Sequence, residues 1–497
     1  TDISTGKTLE TGEILQDSLK STKILQEFGI HKGDVITIVS ENNLKYFIPQ
    51  LAAFYMGVTV QLLNPVYSIG ELKHALAISK PKLIVCSQLS IKNVSQTLQE
   101  LQLENTKLVL FEGTFENLPN ITSFEDLLEN VDNIDPQSFE PETFDGSEEG
   151  ALILMSSGTT GLPKGVLLTH KNFKATFDCE EYFGSSITDV TIFVLPFFHI
   201  MGVLIVTLSI AVGTRLILLK NFKPDIFLKC IEEYKPKILY MVPPMLVFLT
   251  KSPLVDNYNI SSIEDIFVGG APFGRQLFKD ATERLPKVNI RQVYGATEAS
   301  GAFTVTKRDN IVIGSCGVLV PHIVAKVWDF DLKKVVEPLT VGELCFKGPM
   351  IMKGYVANEK ETKLSIDEEG FLHSGDLGYF DENGHIYIVG RIKELIKYKG
   401  FQVPPAELEA LILTHPAVKD CGVIGIPDER AGQVPLAYVV KQSGIDVTEQ
   451  DIIEYVAERI SVQKHLYGGV RFIDEIPKNA FQKIMRQKLT EVYNSSL

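Results

Sequence analysis

A short apolar run that ends in a loop rich in glycine and hydroxyl groups constrains this chain more than any other feature. Ala151–Met155 is continuously apolar, which predicts a buried strand. Ser156–Gly165 follows it directly and holds three glycines, four Ser or Thr residues and one lysine. Backbone N–H groups and hydroxyls donate to phosphate oxygens, glycine permits close approach and lysine adds positive charge. The loop therefore predicts a polyphosphate site, with a polar surface turn as the alternative.

The order of residues in this loop differs from that of a P-loop. A P-loop places Gly-Lys-Ser/Thr after four variable residues, whereas here Gly161 comes too early and Gly165 follows Lys164. A nucleotide bound by this loop is therefore expected to lie in another architecture.

Charge and cysteine content exclude some classes of protein. The net charge is −14 and the pI is about 5.3, which argues against nucleic acid as a partner because phosphate neutralisation needs a basic face. The six cysteines show no Cys-x-x-Cys pair and no Cys/His metal spacing, so we expect free, mostly buried thiols in a reducing compartment. They are Cys86, Cys179, Cys230, Cys316, Cys345 and Cys421.

Apolar runs in this chain are too short for a membrane span, which needs roughly 18–20 residues. The longest candidate, Met201–Gly213, is predicted to be a buried core helix, so no transmembrane segment is expected.

Helix-like and strand-like segments alternate over residues 10–115, which predicts parallel sheets covered by helices. The segments that carry this pattern are Ile14–Phe28, Val35–Val39, Tyr46–Tyr55 and Leu83–Cys86. The acidic stretch Asn117–Glu149, rich in Pro and Asn, is predicted to be a loop.

The same alternation returns after the loop, and polar or turn residues follow each apolar run. The runs are Lys237–Met241, Asp265–Val268 and Ile290–Val293. Because ligands bind beyond the carboxyl ends of strands in open α/β sheets, the segments after these runs are expected to converge on one site.

The pattern of predicted helices and strands changes twice more towards the end of the sequence. Short strands with Gly turns begin at Val324 and predict a β-rich subdomain. About 100 residues of α+β character then follow a short charged connector, a usual size for a small domain. We therefore predict an α/β fold with a large N-terminal domain over residues 1–390, a hinge at 391–393 and a small mobile α+β domain over 394–497.

These motifs together resemble the acyl-adenylate-forming superfamily, in the branch of beetle luciferases, 4-coumarate–CoA ligases and fatty acyl-CoA synthetases. The resemblance covers nearly all 497 residues. Besides the Ser156–Gly165 loop, it rests on Gly269–Pro272, Tyr294–Glu298, His373–Asp376, Gly390–Lys393, Lys397–Gly400, Pro477-Lys478 and Lys483. It implies that a carboxylate attacks the α-phosphate of ATP to give acyl-AMP and pyrophosphate, after which CoA displaces AMP.

The resemblance assigns ATP, Mg²⁺ and CoA to particular residues. The ATP or AMP site comprises Ser156, Ser157, Gly158, Thr159, Thr160, Gly161, Lys164, Gly270, Ala271, Tyr294, Gly295, Ala296, Thr297, Asp376, Arg391 and Lys483. Glu298 is assigned to Mg²⁺, which prefers carboxylate and phosphate oxygens. Glu298 could instead cap a helix, Asp376 could be a turn residue, and Arg391 and Lys393 could be solvated charges.

Two lysines are expected to divide the catalytic work, and His199 and Thr297 complete the catalytic set, with a packed residue of the pocket wall as the alternative for His199. Lys483 is expected to stabilise charge during adenylation, although Gln482 stands where the family usually has Gly. Rotation about the hinge is then expected to present Lys397 for thioester formation. The residues assigned to the CoA step are Lys393, Lys397, Lys399, Gly400 and Gln402.

The acyl pocket is expected to include His199, Met201, Gly301 and Ala302. Bulky apolar neighbours favour an alkyl or aryl tail, with a fatty acid first and a hydroxycinnamate-like acid second. A luciferase is a further alternative, but its luciferin-holding arginine corresponds to Thr176, and its paired histidine to Phe198. A non-catalytic binder of this fold is disfavoured by the presence of Lys483, Glu298 and Asp376.

The family resemblance also implies an intracellular protein, peroxisomal or cytoplasmic. The C-terminal Ser495-Ser496-Leu497 differs at one position from the peroxisomal signal Ser-Lys-Leu. A monomer with only small-molecule partners is expected.

Overall fold

Helices and strands alternate through most of the chain. The computed structural model describes residues 1–115, 121–156, 163–179, 190–271, 274–329, 332–479 and 483–496. Within these ranges there are fourteen α-helices and twenty-five β-strands.

The α-helices are α1 Thr11–Glu27, α2 Ile48–Tyr55, α3 Ile69–Ser79, α4 Ile91–Glu100, α5 Phe124–Glu129, α6 His170–Ala175, α7 Ile200–Val212, α8 Pro224–Tyr234, α9 Pro243–Lys251, α10 Arg275–Arg284, α11 Glu359–Ser365, α12 Pro405–Ile412, α13 Glu449–Ala457 and α14 Arg486–Ser495.

The β-strands are β1 Val35–Val39, β2 Thr59–Leu63, β3 Leu83–Cys86, β4 Lys107–Leu110, β5 Thr122–Ser123, β6 Gly150–Ser156, β7 Lys164–Thr169, β8 Val190–Phe193, β9 Arg215–Leu218, β10 Ile238–Met241, β11 Asp265–Val268, β12 Asn289–Ala296, β13 Gly301–Val305, β14 Val318–Leu319, β15 Val324–Asp329, β16 Lys334–Val335, β17 Gly342–Lys347, β18 Gly354–Tyr355, β19 Leu372–Phe380, β20 Ile386–Arg391, β21 Ile396–Tyr398, β22 Phe401–Val403, β23 Val418–Asp428, β24 Gly432–Lys441 and β25 Val470–Phe472.

Two large sheets form most of the N-terminal part. One has the order β18-β7-β6-β2-β1-β3-β4-β5, with β6 to β5 along this order parallel and β7 and β18 antiparallel at its edge. The other has the order β14-β13-β12-β11-β10-β8-β9, with β12 to β9 parallel. The continuous apolar runs that the sequence contains are buried in these sheets, as expected for parallel strands covered on both faces.

Two smaller sheets complete the fold. An antiparallel sheet of order β16-β15-β17-β19-β20 forms the β-rich region that was predicted from Val324 onwards. The C-terminal sheet has the order β22-β21-β24-β23, with β25 beside β24. A hydrophobic core that contains Ile396 and Leu489 packs on this last sheet, separate from the core that extends to Ile386. The predicted fold class, with a large N-terminal domain and a smaller C-terminal one, is confirmed.

The prediction that Asn117–Glu149 is a loop is wrong in part. Residues 116–120 lie outside the described ranges, but β5 and the short helix α5 follow them. The Ser123 hydroxyl accepts a hydrogen bond from the Asp126 N–H and so begins the helix, while Phe124 and Leu128 are buried. Two buried apolar residues on one face outweigh the acidic composition of the stretch.

The apolar segment Met201–Gly213 forms the core helix α7, which begins at Ile200 and ends at Val212. In the part of the chain that the structure describes, no helix has both the length and the apolar character needed to cross a membrane. All six cysteines are free and buried, as expected.

Candidate active site

Asp376 lies where the third sheet meets the second, on strand β19. Its side chain is 9% exposed, and the two carboxylate oxygens have different partners. Oδ2 accepts a hydrogen bond of 2.7 Å from the Tyr294 hydroxyl, and Oδ1 lies 3.0 Å from Nε of Arg391, its cross-strand neighbour on β20. Burial, and then the Asp376 carboxylate, raise the pKa of Tyr294 well above its usual value, so Tyr294 remains a donor at neutral pH. The structure thus brings together three residues that are up to 97 positions apart.

A buried glutamate supports the turn that leads into Asp376. Oε1 of Glu343 accepts a hydrogen bond of 2.9 Å from the Gly375 N–H, and Oε2 lies 2.6 Å from Nδ1 of His373. This hydrogen bond is the main cause of a raised His373 pKa. Sγ of Cys345 also lies near this pair, so three groups of metal-ligand type meet. The 2.6 Å separation is that of a hydrogen bond and leaves no room for a cation between oxygen and nitrogen.

The end of strand β12 and the short 3₁₀ turn after it reverse the chain sharply into β13. Gly295 is required here because a Cβ atom would lie 1.9 Å from the Gly301 carbonyl oxygen. Ala296 pairs with Gly301, and the 3₁₀ turn Thr297–Ala299 carries Thr297 and Glu298, both half-buried.

Gly270 and Ala271 follow β11 at the same edge of the sheet. Strand β11 pairs in parallel with β12, with Val268 opposite Gln292, so these residues lie beside the segment that leads to Tyr294. Gly270 has φ of +85° and is exposed, and Ala271 is half-buried. Two of the predicted nucleotide segments therefore lie next to each other at the carboxyl ends of adjacent strands.

The predicted phosphate loop connects two antiparallel strands. Ser156 ends β6 and pairs with Lys164, which begins β7. The residues assigned to phosphate between them, Ser157, Gly158, Thr159, Thr160 and Gly161, lie outside the described residues.

Lys164 has partners on strand β18 and helix α11. Its ammonium group forms an ion pair with Glu361 and lies 4.9 Å from the centroid of the Tyr355 ring. The Tyr355 hydroxyl in turn donates a hydrogen bond of 3.0 Å to Oε1 of Glu298. Tyr355 thus connects the lysine of the phosphate loop with the carboxylate assigned to Mg²⁺.

Lys483, in the C-terminal part of the chain, lies near the charged groups of Asp376, Arg391 and Glu298. Its backbone pairs with Asn479, because the Lys483 N–H donates to the Asn479 side chain over 3.0 Å and the Lys483 carbonyl accepts from the Asn479 N–H over 2.9 Å. Burial, followed by the cation of Arg391, lowers the Lys483 pKa, while the carboxylates of Asp376, Glu298 and Glu394 act in the opposite direction. The amine therefore lies within electrostatic reach of Asp376, Arg391 and Glu298, which the resemblance assigns to ATP and Mg²⁺.

His199 ends the approach to helix α7 and caps it. Its Nδ1 accepts a hydrogen bond of 3.4 Å from the Met201 N–H. Burial, and next the Lys483 cation, lower the pKa of His199 to about 3. The imidazole is therefore neutral at pH 7, suited to hydrogen bonding and not to holding a permanent charge.

A narrow cavity lies between α7, β13 and the segment after α6. It is lined by Thr176, Cys179, Leu204, Ala302, Val320 and Met350. Ala302 was assigned to the acyl pocket, and Gly301 lies next to the cavity because a Cβ atom there would come within 2.8 Å of Leu204. Met201 instead packs against the main core, and the cavity lining does not include His199.

The residues assigned to the CoA step form an exposed hairpin. Strands β21 and β22 pair Lys397 with Gln402, and the turn between them has Lys399 and Gly400 at positive φ. Lys397, Lys399, Gly400, Gln402 and the connector residue Lys393 are all exposed. The structure thus brings Lys483, and not this hairpin, to Asp376 and Arg391.

Sequence reasoning missed Tyr355, Glu361 and the pair Glu343–His373. His373 lies in the motif His373–Asp376, but the sequence gives it no role of its own, and Tyr355 lies in none of the motifs that carry the resemblance. Their contacts span 30 to 197 residues of sequence, which no local pattern could have revealed.

Family models and curated relatives match almost the whole chain. The model of the AMP-binding enzyme family matches residues 3–356, and that of the AMP-binding enzyme C-terminal domain matches residues 407–483. A luciferin 4-monooxygenase of Photuris pensylvanica is 39% identical, with 97% of this chain and 89% of the relative covered. A probable 4-coumarate–CoA ligase 3 of Dictyostelium discoideum is 36% identical, with 95% and 88% covered.

Solved structures show the same fold. The ATP-bound MatB of Rhodopseudomonas palustris is 25% identical, with a TM-score of 0.89 over 99% of this chain and 95% of that one. The o-succinylbenzoate CoA synthetase of Bacillus subtilis, solved with its acyl-adenylate intermediate, is 27% identical with a TM-score of 0.82 over 96% and 92%. With both domain models matched and the motif residues gathered around Asp376, the chain belongs to the AMP-binding enzymes, the acyl-adenylate-forming superfamily.

Proposed function

We propose that the protein is an ATP-dependent acyl-CoA ligase that acts on medium- or long-chain fatty acids. The observation that carries this proposal is the placement of the Lys483 amine within electrostatic reach of Asp376, Arg391 and Glu298. Adenylation joins two anions, a carboxylate and a polyphosphate, so its site must supply positive charge where negative charge accumulates. Lys483 of the C-terminal part and Arg391 at the end of β20 would supply it here.

In the first step a carboxylate oxygen bonds to the α-phosphorus, and the bond from that phosphorus to the β-phosphate oxygen breaks. Lys483 would hold the two reacting groups together, and Asp376 would accept hydrogen bonds from the ribose hydroxyls. Arg391 would donate on the ribose side, and its ion pair with Asp376 keeps both groups oriented. Thr297 would contact the α-phosphate from the turn after β12, and Lys164 would pair with the outer phosphates.

Glu298 fits the metal assigned to it. Its carboxylate is half-buried at the end of β12 and accepts a hydrogen bond from Tyr355, which fixes its orientation. Carboxylate oxygens are the ligands that Mg²⁺ prefers, and the bound ion supplies charge neutralisation to the phosphates.

In the second step the CoA sulfur attacks the carbonyl carbon, the bond to the AMP oxygen breaks so that AMP leaves, and the thiol proton passes to solvent. The exposed hairpin of Lys397 and Gln402 would serve this step after the small domain has rotated. The hairpin is exposed to solvent while Lys483 is within electrostatic reach of Asp376, which supports a division of labour between two orientations.

The lining of the cavity supports an apolar tail. Leu204, Ala302, Val320 and Met350 are apolar, and the Thr176 hydroxyl already donates to the Phe173 carbonyl oxygen over 2.6 Å. No charged side chain is among the described lining residues, which favours an apolar group over a polar or dianionic one at this point.

The test is a panel of carboxylic acids with ATP, Mg²⁺ and CoA, in which AMP, pyrophosphate and acyl-CoA are measured. Fatty acids of medium or long chain are expected to give the highest kcat/KM, with AMP and pyrophosphate formed in equal amounts. Highest turnover with 4-coumarate would favour an aryl acid as the substrate, in line with the 4-coumarate–CoA ligases among the relatives. Formation of ADP and phosphate, or no CoA-dependent turnover of any fatty acid, would contradict the proposal.

A luciferase is the second candidate because relatives that are 36–39% identical are luciferin 4-monooxygenases. Light emission from D-luciferin is nevertheless expected to be absent or very weak. Thr176 lines the cavity at a position where the luciferases have an arginine, and its side chain cannot supply that charge or reach. Hydrogen bonds to a charged group contribute about 1.5–3 kcal/mol, enough to decide whether the adenylate is held productively.

Luminescence and AMP release from D-luciferin should be measured together. Adenylation is expected to survive, since its residues lie elsewhere, and Thr176→Arg is expected to raise emission where this position is limiting. Thr176→Val, which keeps the volume and removes the hydroxyl, serves as the control. Bright emission from the unaltered protein would contradict this expectation and make a luciferase the preferred function.

A further inference from the structure

The phosphate-loop lysine is already paired with a carboxylate. The side chains of Lys164 and Glu361 are 16% and 31% exposed, and the ammonium group is in direct contact with Oε2 of Glu361. The face of the Tyr355 ring lies on another side of the same ammonium. Lys164 is therefore held in a defined position by one anion and one aromatic ring.

The fold places Glu361 beside Lys164 through a short, rigid route. Strand β18 pairs with β7 through Tyr355 and Val166, and the Val356 N–H donates to the Gly165 carbonyl oxygen over 2.8 Å. Helix α11 begins three residues later. The Thr362 hydroxyl of this helix accepts a hydrogen bond of 2.9 Å from the Tyr355 N–H, which fixes the helix against the strand.

Glu361 carries its charge at neutral pH. The hydrogen bond from Lys164, followed by the charge of the same group, lowers the Glu361 pKa, and Lys393 and Lys360 act in the same direction. The positive charge of Lys164 is thus largely compensated inside the protein. A polyphosphate that approaches Lys164 meets a neutral pair and a nearby carboxylate instead of a lone cation.

We propose that Glu361 competes with the β- and γ-phosphates of ATP, and with pyrophosphate, for Lys164. This inference rests on the proposed function, in which Lys164 pairs with the outer phosphates. Glu361 and a phosphate oxygen are both anionic acceptors for the same ammonium, so binding one weakens the contact with the other. Glu361 therefore lowers the affinity for ATP.

Competition of this kind also assists the release of pyrophosphate. After adenylation the outer phosphates are no longer bonded to the nucleotide, and Glu361 can take their place on Lys164. The enzyme then returns to the Lys164–Glu361 ion pair, and Lys164 does not have to pass through an unpaired state. A carboxylate that weakens ATP binding thus shortens the time for which the first product remains bound.

The experiment compares the affinities of Glu361→Gln and the unaltered enzyme for ATP, pyrophosphate and AMP by calorimetry, with Mg²⁺ held constant. Loss of one carboxylate near the phosphates is expected to tighten ATP and pyrophosphate binding about three- to tenfold. AMP binding is expected to remain unchanged because AMP has no outer phosphates. Glu359→Gln is the matched control, since Glu359 lies on the same helix and pairs only at the surface with Lys363, at 2.7 Å.

A second pair of variants separates this inference from the proposed function. Lys164→Ala is expected to weaken ATP binding and leave AMP binding unchanged, and in that background Glu361→Gln is expected to tighten ATP binding less than in the unaltered enzyme, because the competition for the lysine is gone and only repulsion between the carboxylate and the phosphates remains. Unchanged ATP affinity in Lys164→Ala would contradict the role of Lys164 itself. Unchanged or weaker ATP binding in Glu361→Gln, with the Lys164 effect intact and an unaltered unfolding temperature, would overturn the competition.

Discussion

Replacement of Lys483 by alanine is expected to reduce the rate of adenylate formation by about two to three orders of magnitude, the usual effect of removing a preorganised donor to a developing charge. The amine lies within electrostatic reach of Asp376, Arg391 and Glu298, and in the proposed function it would contact both the carboxylate and the α-phosphate. Formation of the thioester from preformed acyl-AMP is expected to remain largely intact. Single-turnover measurement of each half-reaction distinguishes the two effects.

The pH dependence of adenylation provides an independent readout for Lys483. Because burial lowers its pKa, the lysine loses its proton at a pH below that of an ordinary lysine. The rate that depends on the charged form is present below this pKa and falls as the pH rises through it. The alkaline limb of the profile should therefore disappear in Lys483→Ala. Lys478→Ala, which loses only a 2.6 Å contact with Asp420, is the control from the same segment.

Lys397→Ala is expected to have the converse effect, with impaired thioester formation and intact adenylation. Lys419→Ala removes another exposed lysine of the same domain and should leave both half-reactions unchanged. Equal impairment of one half-reaction by Lys483→Ala and Lys397→Ala would contradict the proposed alternation of the domain.

The second large effect is expected for Asp376→Ala. Hydrogen bonds to a charged group contribute about 1.5–3 kcal/mol each, and about 1.4 kcal/mol corresponds to a factor of ten. Loss of two contacts with the ribose hydroxyls should therefore lower kcat/KM for ATP about a hundredfold or more. Steady-state kinetics with ATP as the varied substrate measures this change.

The same substitution is expected to destabilise the protein by about 1–3 kcal/mol, because the buried Tyr294 hydroxyl loses its acceptor and Arg391 its partner. Urea unfolding measures this decrease in the free energy of unfolding. Asp381→Asn is the matched control, since Asp381 contacts His385 at the opposite end of the same hairpin, at 3.1 Å. An ATP effect as large in the control as in Asp376→Ala would show that the hairpin, and not the contact with ribose, was responsible.

Elements with continuous apolar character could be predicted closely from the sequence. The expected runs Leu83–Cys86 and Asp265–Val268 coincide with β3 and β11, because buried parallel strands end where turn residues begin. The capping pattern at Thr448 and the amphipathic pattern after it predict a helix over Thr448–Ile460, and helix α13 begins there at Glu449, with Thr448 and Asp451 forming the capping box. Its predicted end, Ile460, overshoots the observed end at Ala457.

Contacts between distant segments could not be predicted in the same way. Glu361 stands in a charged helix with no motif around it, and only the pairing of β18 with β7 brings it to Lys164. Likewise, Glu343 was one of many acidic residues until strand pairing placed it below the turn that holds Asp376. Such roles depend on three-dimensional placement, whereas periodicity reports only on neighbours along the chain.

The connector between the two parts is anchored on both sides by ion pairs. Arg391 is tied to Asp376 of the large domain, and Glu394 lies 3.0 Å from Nη1 of Arg486, which also binds the buried Glu409 of the small domain. Only Ile392 and Lys393 stand between these anchors. While these ion pairs persist, we expect the proposed rotation to be taken up mainly by the φ and ψ torsions of Ile392 and Lys393, as a rotation about a nearly fixed axis and not as bending spread along the linker.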